Sequence, residues 1–368
     1  MNWQTLLRNN LTTADDLLKP LHLSRQEYES IREEISLFPM SVTRYYFSLI
    51  DPNDPDDPIR KLAIPSGKTV LSDGNLDTSG EIGNTVLQGM QHKYAETAMI
   101  LTTADCAMFC RHCFRRRLVG KTDEEIAVDI DAIETYIRDH PQISNVLLSG
   151  GDPFLLPTKE IERWLRRLTR LNHLDFIRFG SRTPVTFPQR ITWDYRLLEI
   201  LNSYCFQKQI YLVTHFNHPK EITRESTAAI QALRKAGIVL KNQTVLLKGV
   251  NDDPDVLARL LKEITALGVV QHYIFQCRPV KGVKSQFQVP LLEGSDIVQK
   301  ALAKQNGLGK AADYTMSHFT GKIRILGRSG EDEMIFQYKQ AKDPDNIGRI
   351  FTRRIDQSDT WLPDEFSL

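Results

Sequence analysis

The sequence predicts an α/β protein built on a parallel sheet. Two observations carry that reading. Six short β-prone runs recur: "TAMILTT", "NVLLSGG", "DFIRFGS", "QIYLVTH", "LKNQTVLL" and "QHYIFQC". Five segments with helical spacing fill the gaps: "EEIAVDIDAIETYIRD", "KEIERWLRRLTRL", "DYRLLEILNSY", "ITRESTAAIQALRKAG" and "DVLARLLKEITALG". Strand and helix in alternation give parallel strands joined by right-handed crossovers. Six units are too few for a closed eight-stranded barrel, which leaves an open partial barrel or a doubly wound sheet. Either fold puts its chemistry at the carboxyl ends of the strands.

The flanks read differently. Residues 1–90 form a mostly helical N-terminal extension. In "LSRQEYESIREEI", Ser24 stands as an N-cap with Glu27 three residues on, the capping-box order. The prolines and aspartates of "LIDPNDPDDPIRK" predict a solvated loop with no helix. Residues 91–290 hold the strand–helix core. Residues 291–368 form an α+β segment in which "KIRILG" and "EMIFQYKQA", joined by "RSGEDE", predict a hairpin.

Composition excludes several function classes. Lys and Arg number 47 against 46 Asp and Glu, a net of +1, so a general nucleic-acid binder is not expected. No apolar run approaches the ~20 residues of a membrane span. The polar start "MNWQTLLRNNLTTADD" lacks the order of a signal peptide, so a cytoplasmic location is expected. The five cysteines are an odd count, which argues against a disulfide framework. Cys205 and Cys277 stand alone in apolar surroundings and read as core.

The remaining three lie together in "TTADCAMFCRHCFRRR", directly after the first strand of the core. Cys106, Cys110 and Cys113 have the spacing C-x3-C-x2-C. A structural zinc site wants four ligands, usually in two separated pairs, and no second pair exists. His112 is a conceivable fourth ligand, but neighbouring ligands on so tight a loop strain a tetrahedron. A four-iron cluster normally takes four thiolates, so three leave one iron with an open position, which suits catalysis. Read by themselves, Arg115, Arg116 and Arg117 are a solvated basic face or an RNA patch. The pair Gly150 and Gly151 in "SGGD" marks either a tight turn or a close backbone approach.

These motifs resemble the radical S-adenosylmethionine superfamily, and "CAMFCRHCFRRR" resembles its lysine 2,3-aminomutase family. The resemblance continues through "LLSGGDP", "GSRTPVTFPQRIT", "THFNHPKEITREST", "NQTVLLKGVND" and "YIFQC", and "RYYFSLIDPNDPDDPIRKLAIPS" also fits. It implies a partial (βα)6 TIM-like barrel and an isomerase, a 2,3-aminomutase moving an α-amino group to the β-carbon. It implies a [4Fe–4S] cluster on Cys106, Cys110 and Cys113 and S-adenosylmethionine near Gly150, Gly151, His215 and Gln243. Arg115 would fork onto the substrate's α-carboxylate, for which a planar guanidinium is suited. The family's pyridoxal 5′-phosphate would sit on Lys322, in "SHFTGKIRILG", with Tyr94 near it. The expected partners are a small amino-acid substrate and a flavodoxin- or ferredoxin-type reductant.

Three departures bear on substrate. Where the lysine enzymes place an aspartate after "QC", this chain has Arg278, and a second expected aspartate is Thr315. An ammonium-ended side chain would meet like charge there, whereas an acidic one, as in glutamate or aspartate, would find a partner. Zinc-binding cysteines of longer relatives are missing after Cys277, so a homo-oligomer is expected only on other contacts. Four alternatives stay open: a lysine 2,3-aminomutase, an enzyme of the branch modifying a lysine of elongation factor P, a radical enzyme without pyridoxal phosphate, and a non-catalytic cluster protein.

Overall fold

In a computed structural model describing residues 2–69 and 71–363, one sheet runs through the chain. Its strands are β1 (Thr85–Leu87), β2 (Met90–Tyr94), β3 (Thr97–Thr103), β4 (Asn145–Gly150), β5 (Phe176–Gly180), β6 (Gln209–Thr214), β7 (Val239–Leu246), β8 (Val270–Gln276), β9 (Asp313–Ser317), β10 (Gly321–Arg328), β11 (Glu333–Ala341) and β12 (Ile350–Arg354). They lie side by side in chain order. The six runs read from the sequence are β3 to β8, all parallel. A seventh parallel strand, β9, joins β8. Antiparallel pairs extend both edges, with β1 and β2 before β3, and β10 to β12 after β9. The expected hairpin is β10–β11. The strand order is open, yet Lys93 Nζ on β2 donates to the carbonyl of His318 between β9 and β10 at 2.9 Å. Strands so far apart in the order touch only if the sheet is strongly curled.

Burial explains the curl's two faces. Along β7, Leu240, Asn242, Thr244 and Leu246 are buried, while Val239, Lys241, Gln243 and Val245 are half-buried. One row packs on helices and the other lines a polar interior. The helix Thr158–Leu168 buries Ile161, Trp164, Leu165 and Leu168, a stripe at helical spacing.

Two local expectations are corrected. "DPIRK" does begin a helix, Pro58–Ala63. Asp57 caps it, accepting from Ile59 and Arg60, and Pro58 occupies the first turn, where its missing N–H is harmless. Asp57 is also buried and paired with Lys220 at 2.6 Å, so this part of the acidic run is not solvated. The helix expected from Glu124 begins instead at Ile130, where Asp129 supplies the cap. The Ser24–Glu27 capping box forms as read. Cys277 is core, and Cys205 is half-buried at a helix end.

Candidate active site

The three clustered cysteines occupy the loop after β3, at the carboxyl edge of the sheet. The N-terminal extension grips this loop. The Phe109 and Arg111 N–H groups donate to the carbonyls of Ser41 and Leu62, both at 2.9 Å. Asn10 donates to the Ala107 carbonyl at 2.8 Å, and Arg111 forms a buried ion pair with Glu34. From the other side comes the end of β4. The Gly151 N–H donates to the Thr103 carbonyl at 2.6 Å and the Asp152 N–H to that of Asp105 at 2.7 Å. A Cβ on Gly150 would stand 2.3 Å from the Thr103 oxygen, and one on Gly151 would stand 2.2 Å from the Asp105 oxygen. Gly150 also has φ +120°, which L side chains rarely adopt. The glycine pair thus lets β4 dock against the strand that carries the cysteines.

The donor set fits an iron–sulfur cluster. All three thiols are free and half-buried, and each lies in the electrostatic field of the others. Burial and then neighbouring acids and thiols push Cys106 well above the usual thiol range. Burial and then Cys110 raise Cys113 to about 11. Holding Cys106 and Cys113 as thiolates therefore calls for local positive charge, as a metal centre supplies. Among the described residues no three His, Cys, Asp or Glu side chains are placed to hold a single metal ion. A four-iron cube takes each thiolate on a different iron. His112 Nε2 lies 3.5 Å from Asn217 Nδ2, and its Nδ1 is buried with no hydrogen-bond partner.

Around the thiols the polar groups are matched. Arg182 donates from Nη1 to Cys110 Sγ at 2.8 Å and from Nε to the His215 carbonyl at 3.0 Å. Its Nη2 donates to Glu221, which is fully buried. Glu221 also accepts from the Tyr46 hydroxyl and from the N–H groups of Asn217 and His218. His215 follows the last residue of β6, and burial, then Arg182, lower its imidazole to about 4, so it is neutral at neutral pH. Gln243 lies within β7 rather than at its end, on the half-buried row.

A second group lies beside this one. Arg115 is buried and its fork is filled by Glu81, with Nε 3.0 Å and Nη2 2.8 Å from Oε1. Its Nη1 donates to Ser149 Oγ at 2.9 Å and to the Gly150 carbonyl at 3.3 Å. Arg117 holds the other Glu81 oxygen at 2.8 Å and also pairs with Glu125. Burial alone would raise the Glu81 carboxyl, but Arg115, Arg117 and Arg278 outweigh it and hold it down to about 2. Arg116 packs over Phe38 at 3.7 Å and donates to the Gly282 carbonyl, a structural role.

Arg278 differs from these arginines. It lies just past β8, 4.2 Å over the Phe114 ring, and its Nη1 is shut off from solvent with no hydrogen-bond partner. Lys322, on β10, faces the rings of Tyr273 and Phe275 at 4.4 and 5.7 Å. Burial first, then Arg178, Lys339, Arg278 and Lys93, push its ammonium down to about 7. Burial, then Arg278 and Lys342, bring Lys93 to about 8. Burial raises Tyr94 to about 12 against the pull of Arg278. Arg178 is on β5 and Lys322 on β10, which in a flat sheet would be about 24 Å apart. The Arg178 charge nonetheless acts on Lys322, in keeping with the curl marked by the Lys93–His318 contact, and the cations there form a cation-rich well. Thr315 is buried on β9, its hydroxyl donating to the Asp313 carbonyl at 3.3 Å.

The structure thus gathers Cys106, Cys110, Cys113, Gly150, Gly151 and His215 in one group, and Lys322, Tyr94 and Arg278 in another. Arg115 stands between them. Sequence reading missed Glu81, Arg182, Glu221, Lys93 and Arg178. Arg182 carries a signal, since "GSR" directly follows a core strand, but Glu81 sits in an irregular stretch with none.

The Radical SAM superfamily model matches residues 100–261, the stretch that carries the three cysteines at the carboxyl edge of the parallel strands. The chain is 40% identical over 350 residues to the L-lysine 2,3-aminomutase of Clostridium subterminale, covering 94% of this chain and 80% of that protein. It is 37% identical over 350 residues to the L-lysine 2,3-aminomutase of Fusobacterium nucleatum, covering 94% and 79%. It is 38% identical over 310 residues to the glutamate 2,3-aminomutase of Clostridioides difficile, covering 83% and 72%. The chain belongs to the lysine 2,3-aminomutase family of radical S-adenosylmethionine isomerases. Its cofactors accordingly include a [4Fe–4S] cluster and S-adenosylmethionine. No helix among the described residues is long and apolar enough to cross a membrane.

Proposed function

We propose that this chain is a pyridoxal phosphate-dependent 2,3-aminomutase acting on an α-amino acid with an acidic side chain, such as glutamate or aspartate. The observation that carries the reading is Arg278. Arg278 is half-buried, but its Nη1 is shut off from solvent without a partner, which is costly unless something completes it. Among the described residues no ion pair involves Arg278, and the acid that acts on it most, Glu81, is engaged by Arg115 and Arg117. A substrate carboxylate would fill that vacancy, and a lysine ammonium would be repelled by Arg278 and Lys93 together.

When bound, the cluster with S-adenosylmethionine supplies the hydrogen-abstracting radical, and pyridoxal phosphate carries the migrating nitrogen. The residues divide that work at the concave side of the curled core, which we read as the partial (βα)6 barrel. Cys106, Cys110 and Cys113 hold the cluster. Gly150, Gly151, neutral His215 and Gln243 border the S-adenosylmethionine position. Lys322, its ammonium pushed down to about 7 by burial first and then by surrounding cations, is the residue to bind the pyridoxal aldehyde. The cations around it, Arg178 and Lys339 foremost, suit a phosphate, and Tyr94 lines the same well. Arg115 takes the α-carboxylate by exchanging partners with Glu81.

The test is an anaerobic screen of the reconstituted enzyme against amino acids, scoring β-amino products. β-Glutamate or β-aspartate is expected. Turnover of lysine with none of either acid would sink the reading of Arg278. A reconstituted protein with no visible imine band, and no borohydride-fixed adduct at Lys322, would sink the pyridoxal part.

A further inference from the structure

We propose that Arg182 is a positioning residue for the iron–sulfur cluster, raising the potential at which the cluster accepts its electron by donating a hydrogen bond to Cys110. This rests on the reading that Cys106, Cys110 and Cys113 hold the cluster. Arg182 sits just past β5, and four segments fix it. Its own N–H donates to Asp152 Oδ2 at 2.9 Å, at the end of β4. Its Nε reaches the His215 carbonyl past β6, its Nη2 reaches Glu221, and its Nη1 is left aimed at Cys110 Sγ at 2.8 Å. Tyr46, from the N-terminal extension, closes the set, with its hydroxyl on Glu221 and 3.3 Å from Arg182 Nη2.

The direction of the effect follows from charge. One electron, delivered by a low-potential protein donor of the flavodoxin or ferredoxin type, adds a negative charge to the cluster and its thiolates. A cationic N–H on one thiolate stabilises that reduced state more than the oxidised one, because charge-assisted hydrogen bonds strengthen with acceptor charge. Glu221 does not cancel this, since two backbone N–H groups and Tyr46 also share its negative charge. A buried guanidinium is costly to place. Here its geometry is spent on a sulfur ligand, whereas packing alone would be met by an apolar side chain.

The experiment is an anaerobic redox titration of the full-length reconstituted protein, followed by electron paramagnetic resonance without S-adenosylmethionine. Arg182→Met is expected to make reduction at least tenfold less favourable, which is 59 mV for one electron. Arg182→Lys keeps a cation that cannot reach Cys110 and Glu221 together, so its potential is expected between the two. It also keeps the buried pair with Glu221, so it remains informative if the methionine variant does not fold. Potentials equal to wild type in the folded variants would overturn the proposal. So would an unchanged potential with weakened S-adenosylmethionine binding, which would assign Arg182 to that cofactor. A wild-type protein lacking a four-iron signal would sink the reading of the cysteines, whereas a normal wild-type signal with unmoved variants would sink this inference alone.

Discussion

The cysteine cradle and the cation well lie side by side and obey opposite rules. In the cradle Arg182 reaches a thiol, a carbonyl and a carboxylate, and Glu221 accepts from four donors, while His112 Nδ1 is left over. In the well Arg278 has an orphaned N–H, and Lys322 stands over two rings with several cations around it. A matched network is rigid and specifies geometry. An unmatched one stores a demand that a ligand can meet. The difference teaches that the cysteine region is tied down, while the cation well is open to completion by a ligand.

The largest expected effect breaks the cradle at its centre. Cys110→Ala should leave a three-iron or iron-free protein, with turnover at background, read by iron content and electron paramagnetic resonance. Next comes the well. Arg278→Asp should move the ratio of kcat/KM for glutamate over lysine toward lysine by roughly 10²-fold or more, because a site that rejects by unpaired charge discriminates strongly. The boundary between the regions is Glu81. Glu81→Gln removes the charge that Arg115 and Arg117 share, and should destabilise the fold by about 3–5 kcal/mol in denaturant titration. Smaller is Ser149→Ala, which takes one acceptor from Arg115 and should lower stability by about 1 kcal/mol.

Lys322 adds a pH signature confined to the well. Its ammonium is depressed from 10.5 to about 7, so across that window the unfolded chain holds a proton that the folded protein has released. Stability therefore rises with pH through the window, and the amine is free to react above about 7. Adduct formation with pyridoxal phosphate, trapped by borohydride, should rise through a midpoint near pH 7 rather than near 10.5. A midpoint near 10.5 would place Lys322 in solvent and remove the contrast with the cradle.

Much of this was legible in the sequence, for physical reasons. The six parallel strands announced themselves through apolar runs, and the cysteines through spacing. The first turn of Pro58–Ala63 was misread because aspartate and proline break helices internally yet start them well. β9 escaped because "DYTMS" is short and polar. Arg115 illustrates the limit most sharply. A sequence shows a cation, but not that Glu81 already fills its fork. Contacts such as Lys93 to His318 depend on the curl, which no local pattern encodes.

The grip on the cysteine loop has a consequence in time. Glu34, Ser41 and Leu62, which hold Arg111 and Phe109, all precede that loop in the chain, whereas Lys322 comes near its end. Domains fold from the N-terminus as they are made. During synthesis the residues that grip the loop are made before its thiols, whereas Arg182, Glu221 and Lys322 are made after them, so the cradle is completed from both sides of the chain.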